Sequence, residues 1–198
     1  MDSVQIGLRR WHSSRVRWDE LFADLEGQLA GEQAAADRSE LAERSRMELA
    51  RLGLLDRLAA HRDRPVALAV RDVGTLRGGL VDVALEWLLV EEGADRVLLV
   101  PTRACLWLTG LGRRSEPQSH HSAARRLGLA SPLRSLARQR VPVTMQLDAH
   151  TGLTGTIDRV YADHCDLAEH PADRPRRTAE VRDVRVVPFA AIALVSPA

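Results

Sequence analysis

At 198 residues the chain is long enough for one large or two small domains, and its 45% apolar content is that of a globular protein. No apolar run approaches the ~18 residues that a membrane-spanning helix needs, and no apolar signal core follows the N-terminus. Membrane insertion by a helix is therefore excluded, and a cytoplasmic location is expected. The formal net charge of +1 conceals a block of basic charge in mid-chain. All 28 basic residues are arginine and asparagine is absent, a pattern for which GC-rich codon bias is the plain explanation.

Residues 1–17 carry Arg9, Arg10, Arg15 and Arg17 with little apolar periodicity, and they read as a flexible tail. From Trp18 the period turns helical. Trp18, Leu21, Phe22, Leu25 and Leu29 recur at three- and four-residue steps and form one apolar stripe. Asp19 and Glu20 put negative charge in the first turn, where the helix dipole favours it. The pattern continues through residues 18–50, with Leu41, Ser45, Leu49 and Leu52 as a weaker seam. Gly27 and Gly31 each cost about 1 kcal/mol relative to Ala and mark where such a helix would kink or break. A helix of ~30 residues is ~45 Å long, more than one small domain covers. Its stripe is either a plain packing face or a self-association arm.

The rest of the chain reads as two copies of one unit. Residues 66–90 lie over residues 143–167 at an offset of 77, so that Val66, Leu76, Gly78 and Val83 meet Val143, Leu153, Gly155 and Val160. Residues 97–108 lie over residues 184–195 at an offset of 87, with Pro101 on Pro188 and Ala104 on Ala191. The second copy thus holds ten extra residues, between about 168 and 184. Each unit is preceded by Arg-Leu-Gly-Leu, at residues 51–54 and 126–129. A short helical segment follows, with Leu55 and Leu58 in one copy and Leu133 and Leu136 in the other.

Inside the unit the period becomes two. Val143, Met145 and Leu147 alternate with Thr144 and Gln146, which predicts a strand with one buried face. Residues 148–152 are a turn signal; Leu153, Gly155, Ile157 and Val160 carry a second strand. Gly155 inside that strand marks a sharp bend or a close backbone approach. Residues 164–169 read as a third strand, 181–187 as a fourth ended by Pro188, 189–192 as one helical turn and 193–196 as a last strand. Five short strands with a bent second one predict a small closed barrel. The domain plan is a tail (1–17), a long helix (18–50), a first barrel with its lead-in helix (51–112), a linker (113–124) and a second barrel with its lead-in helix (125–198). The fold class is mainly β, of α+β type.

The succession of a short helix, Val143, Met145 and Leu147 at alternate positions, a turn ending at Gly152, Gly155 and Ile157, and Asp163, Asp166 and Leu167 about the third strand resembles the Sm-like (Sm/Hfq-type) barrel. The likeness covers residues 127–195 and 52–108; SH3-like, Tudor-like and PRC-type barrels share much of the pattern. The resemblance implies two five-stranded barrels, and rings that bind single-stranded RNA with a uracil held by an Asn. This chain departs from that site. It has no Asn, Asp163-His164-Cys165-Asp166 occupies the relevant segment, and Pro188-Phe189 stands where an Arg-Gly is expected. The first copy has Glu86-Trp87-Leu88-Leu89 at the equivalent loop. Residues 65–112 and 143–198 each carry a net charge of −2, which opposes phosphate binding.

Trp87 and His164 share one position, at the tip leading into the third strand, where an aromatic ring stacks on a ligand or covers the barrel end. Asp163, His164, Cys165 and Asp166 carry metal- or nucleophile-type groups. Alternation along a strand puts Cys165 on the opposite face from His164, which breaks a Cys–His pair. Cys105 and Cys165, one per unit at apolar-patterned positions, read as buried free thiols of a reducing compartment. His120 and His121 have no acid or cysteine at ligand spacing. No Ser/His/Asp order, phosphate loop or ligand set is present, so no catalytic, cofactor-binding or metal residue and no cofactor is predicted.

Residues 113–142 hold seven arginines against the single acid Glu116, a net of +6. Arg113, Arg114, Arg125, Arg126, Arg134 and Arg138 are the candidates for contact with an anion or nucleic acid; neutralisation by the acidic units is the plainer alternative. Arg174, Arg176 and Arg177 lie in the ten-residue insertion. The expected function is a non-enzymatic binding or adaptor protein that self-associates through Trp18, Leu21, Phe22, Leu25 and Leu29, as a homo-oligomer or with a protein partner. The rival is a nucleic-acid-binding protein that uses the arginines between the units.

Overall fold

The computed structural model describes residues 9–93, 96–116, 127–173, 177 and 180–198, with side chains from Trp18 onward except that of Asp19. The described chain is mainly β, with ten antiparallel strands in one sheet and a long helix before them. One compact unit ends at Arg51 and a second spans Leu52–Ala198.

The first unit is helix α1, Arg9–Arg51, 43 residues and roughly 65 Å long. It takes in residues 9–17, which the sequence pattern assigns to a tail. That stretch has no apolar stripe, but it also has no Gly or Pro, and nothing in it halts helix propagation. The helix also continues through Gly27 and Gly31, both exposed. Arg44 pairs with Glu40 one turn back, and Arg46 with Glu43 at 2.8 Å, the spacing at which helix side chains meet.

The second unit begins with α2 (Leu54–Ala59), β1 (Pro65–Val70), β2 (Gly74–Val83), β3 (Trp87–Glu92), β4 (Arg96–Pro101), one 3-10 turn (Thr102–Ala104) and β5 (Cys105–Thr109). It goes on with α3 (Ala130–Gln139), β6 (Pro142–Gln146), β7 (Gly152–Val160), β8 (His164–Glu169), β9 (Asp183–Pro188), a second 3-10 turn (Phe189–Ala191) and β10 (Leu194–Pro197). The strands lie in the order β5-β1-β2-β3-β4-β10-β6-β7-β8-β9. Each half of that order runs fifth, first, second, third, fourth, and the halves meet where β4 bonds β10.

The register of the two halves coincides. Val66 faces Gly78 in one and Val143 faces Gly155 in the other; Trp87 faces Pro101, and His164 faces Pro188. The β2–β3 ladder shifts between Leu80 and Asp82, and the β7–β8 ladder between Ile157 and Arg159, 77 residues on. A left-handed residue precedes each first strand, Asp63 at φ 59° and Arg140 at φ 53°.

Two residues before each shift stands a glycine, Gly78 or Gly155, for a steric reason. A Cβ on Gly78 would collide with the carbonyl oxygen of Glu91, and one on Gly155 with that of Ala168. Only glycine lets the second strand pass so close to the third.

Two apolar cores result. Leu58 of α2 packs with Leu68, Leu80, Leu88, Leu98 and Val100 in one, and Leu129 and Leu133 with Met145, Ile157, Cys165 and Leu167 in the other. Each core borrows from the opposite half: Ala193 and Leu194 enter the first, and Ala84, Trp87 and Leu99 enter the second. Among the described residues no helix is long and apolar enough to cross a membrane.

Gly78→Ala and Gly155→Ala should each lower stability by at least ~2 kcal/mol in urea unfolding, because backbone must move to admit the methyl. Gly27→Ala, with open space around it, should be neutral or stabilising by up to ~1 kcal/mol. Equal small effects at all three positions would contradict the close strand approach.

Candidate functional site

The loops at one end of the sheet converge from both halves. The β2–β3 turn is tied to the 3-10 turn after β4 by the Thr102 amide, which donates to the Glu86 carbonyl at 2.9 Å. The second half repeats the tie, with the Phe189 amide donating to the Asp163 carbonyl at 2.7 Å. Between the two loop pairs lies an open cleft of about 710 Å³, lined by Leu85, Glu86, Thr102 and Arg103 from one half and Ala162, Asp163, Pro188, Phe189 and Ala190 from the other.

Charge in the cleft is mixed. Burial lowers the pKa of the Arg103 guanidinium, against the pull of Glu86, while the nearby Arg71 adds to the lowering. Glu86 is also committed elsewhere: its Oε2 accepts the Leu129 amide at 2.8 Å, ahead of the first turn of α3. Asp163 is exposed, and the His164 ring at its Oδ1, 2.7 Å away, holds its carboxyl below the ordinary range. Thr102 Oγ1 and Trp87 Nε1 are buried with no hydrogen-bond partner among the described residues.

Trp87 and His164 diverge. Trp87 is buried in the second core and presents no ring to solvent. His164 is half-exposed and stacks on Tyr161 with centroids 4.4 Å apart and planes 13° from parallel. Tyr161 in turn donates its hydroxyl to Asp166 at 3.2 Å. Cys165 is fully buried beside them, so it and His164 do not form a nucleophile pair. Both thiols are free; Cys165 is buried and Cys105 half-buried. Burial pushes each of them up to about 11. Among the described residues no group of three or more His, Cys, Asp or Glu is placed to hold a metal ion.

Four of the six predicted arginines fall within the described residues, in two groups. Arg113 and Arg114 are exposed on the stretch after β5, which Arg57 holds by donating to the Gly112 carbonyl at 3.0 Å. Arg134 and Arg138 are exposed on α3, where Arg134 donates to the Tyr161 carbonyl at 3.3 Å. Arg125, Arg126, His120, His121, Arg174 and Arg176 lie outside the described residues; Arg177 is exposed. On α1, Trp18, Leu21, Phe22, Leu25 and Leu29 are all exposed, and the Trp18 and Phe22 rings lie 6.4 Å apart.

Two features were not picked out in sequence. One is Arg103, whose counterpart in the second half is Ala190; comparing the turns after Pro101 and Pro188 would have flagged it. The other is an apolar cleft of about 290 Å³ where the halves join, with Leu89, Leu99, Leu136 and Val195 in its wall. Its parts are far apart in the chain and carry no local signal. Neither protein-family models nor curated proteins give a match to this chain.

With both thiols raised to about 11 from an ordinary 9.0, thiolate is scarce near neutral pH. The raised values mean that the stability the neutral thiols contribute is complete below pH ~9 and is lost as pH rises toward ~11. Iodoacetamide should therefore label native protein slowly at pH ~8 and much faster at pH ~11 or in urea. Fast labelling of native protein at pH ~8 would contradict this burial.

Proposed function

We propose that the protein is a non-enzymatic binding or adaptor protein that self-associates through α1 and acts in the cytoplasm. The observation that carries this reading is the row Trp18, Leu21, Phe22, Leu25 and Leu29, five large apolar side chains exposed along one stripe of α1. An apolar stripe that long in water favours a partner surface, since full burial of each such side chain is worth about 1.5–3 kcal/mol. A second copy of the same helix is the partner that matches it, stripe against stripe. The two halves of the second unit are, on this reading, Sm-like barrels. Support comes from their common strand order, the glycine at the second-strand bend, and a core to which all five strands of the first half contribute.

Leu25→Asp should halve the mass seen by light scattering at micromolar concentration while leaving the circular dichroism of the sheet unchanged. An unaltered mass removes α1 from the account.

The second reading, nucleic-acid binding, rests on the exposure of Arg113, Arg114, Arg134 and Arg138. With Arg125 and Arg126 they make six candidate phosphate contacts. For six such contacts, affinity for a single-stranded RNA oligonucleotide should fall roughly three-hundredfold between about 50 and 200 mM salt. Absence of binding at the lower salt rules this reading out.

A further inference from the structure

The apolar stripe of α1 extends in both directions as a coiled-coil seam. Trp18, Phe22, Leu25 and Leu29 follow one another at steps of four, three and four, the alternation of the two seam positions of a heptad repeat. The same stepping reaches Trp11 and Arg15 before them and Glu32 and Ala36 after them, all within one unbroken helix. The seam thus has an apolar centre of four large side chains, with a cation at one end, Arg15, and an anion at the other, Glu32. A polar residue at such a position specifies register and oligomer state at a cost in stability.

Those two charges discriminate between the ways a second copy can lie on the first. In a parallel pair each residue meets its own counterpart, so Arg15 faces Arg15 and Glu32 faces Glu32 in the seam. Turned end for end, with Trp18 opposite Leu29 and Phe22 opposite Leu25, the pair places Arg15 opposite Glu32 twice and Trp11 opposite Ala36. Sliding that arrangement by one heptad sets a charge against an apolar residue, Glu32 on Phe22 in one direction and Arg15 on Leu25 in the other. The flanks agree. Residues 9–17 carry four arginines and no acid, and a parallel pair stacks that +4 on itself. The antiparallel pair sets it against residues 30–38, which carry Glu32, Asp37 and Arg38, a net of −1. Residues 18–29 lie on one another in either form. The like-charge contact of the antiparallel pair, Asp19 with Glu26, falls beside the seam and not in it, where water and salt screen it.

We propose that α1 pairs antiparallel with α1 of a second copy, in the register that sets Arg15 opposite Glu32. This rests on self-association through α1 and adds its geometry. The overlap is residues 9–38, and residues 39–51 project beyond it at each end. In that projecting part Arg44 pairs with Glu40 and Arg46 with Glu43 within the same helix. At ~1.5 Å per residue, the two chains leave the pair, at Arg51, roughly 80 Å apart. Such a dimer bridges two sites instead of doubling one.

The test is the distance between nitroxide labels in full-length protein carrying Leu41→Cys in a Cys105→Ala background, Cys165 being buried. Leu41 is exposed and off the seam, so the label should leave the mass unchanged. In the proposed register the two labels lie about 35 residues apart along the axis, or ~50 Å. A parallel pair holds them ~20 Å apart, two helix widths. A distance near 20 Å overturns the antiparallel pair and keeps self-association through α1; no defined distance overturns both. A second measurement exchanges the charges. Arg15→Glu and Glu32→Arg should each raise the dimer Kd at least ~tenfold, and both in one chain should restore it to within about threefold. Single substitutions that leave Kd unchanged, as in a parallel pair, overturn the proposal, and so does a double variant as weak as the singles.

Discussion

The pairing of β4 with β10 is the contact on which the second unit depends, because each of the two strands serves two cores. Alternation sends Leu98 and Val100 of β4, with Leu194 of β10, into the first core; it sends Leu99 and Val195 into the second. All five are buried, and a large aliphatic side chain taken out of water contributes about 1.5–3 kcal/mol. Separating the halves would expose both cores at once. The two cores therefore form one cooperative block, not two domains that tolerate independent opening.

The second constraint is the pair of glycines at the bend of each second strand. Because Gly78 and Gly155 let the second strand run against the third, β2 and β7 can turn over their cores and still carry nine or ten residues. The bulges at Leu80–Asp82 and Ile157–Arg159 increase the local twist just beyond. The bend carries the second-to-third-strand turn onto the turn that follows the fourth strand, where the Thr102 and Phe189 amides fasten it. The seam then sets those two fastened loop pairs side by side, and the cleft between them is a product of seam and bend together.

The strand pattern was legible because it rests on local rules. Alternation placed the third strand of the second half at residues 164–169, where it is observed, and glycine within a strand marked the close approach. The helix start was missed because amphipathicity was used to find it: residues 9–17 lack a stripe, while helix formation there needs only the absence of breakers. The joining of the halves into one sheet had no local signature, since Leu99 and Val195 are almost a hundred residues apart and each looks like any alternating strand residue. The cleft was half-legible. Asp163 stood out with His164, Cys165 and Asp166 for its chemistry, but Arg103 entered only when the turns of both halves were brought together.

The charge of that cleft bears on which surface can meet a polyanion. Its lining carries two carboxylates, Glu86 and Asp163, against one guanidinium, Arg103, and Glu86 offsets that cation directly. The cleft is thus net acidic, and a phosphate entering it would lose more to Glu86 and Asp163 than it gained from Arg103. The exposed arginines named above lie elsewhere among the described residues, with Arg113 and Arg114 on the stretch that Arg57 of α2 holds and Arg134 and Arg138 on α3. Those two groups belong to different halves. Neither group lines the cleft.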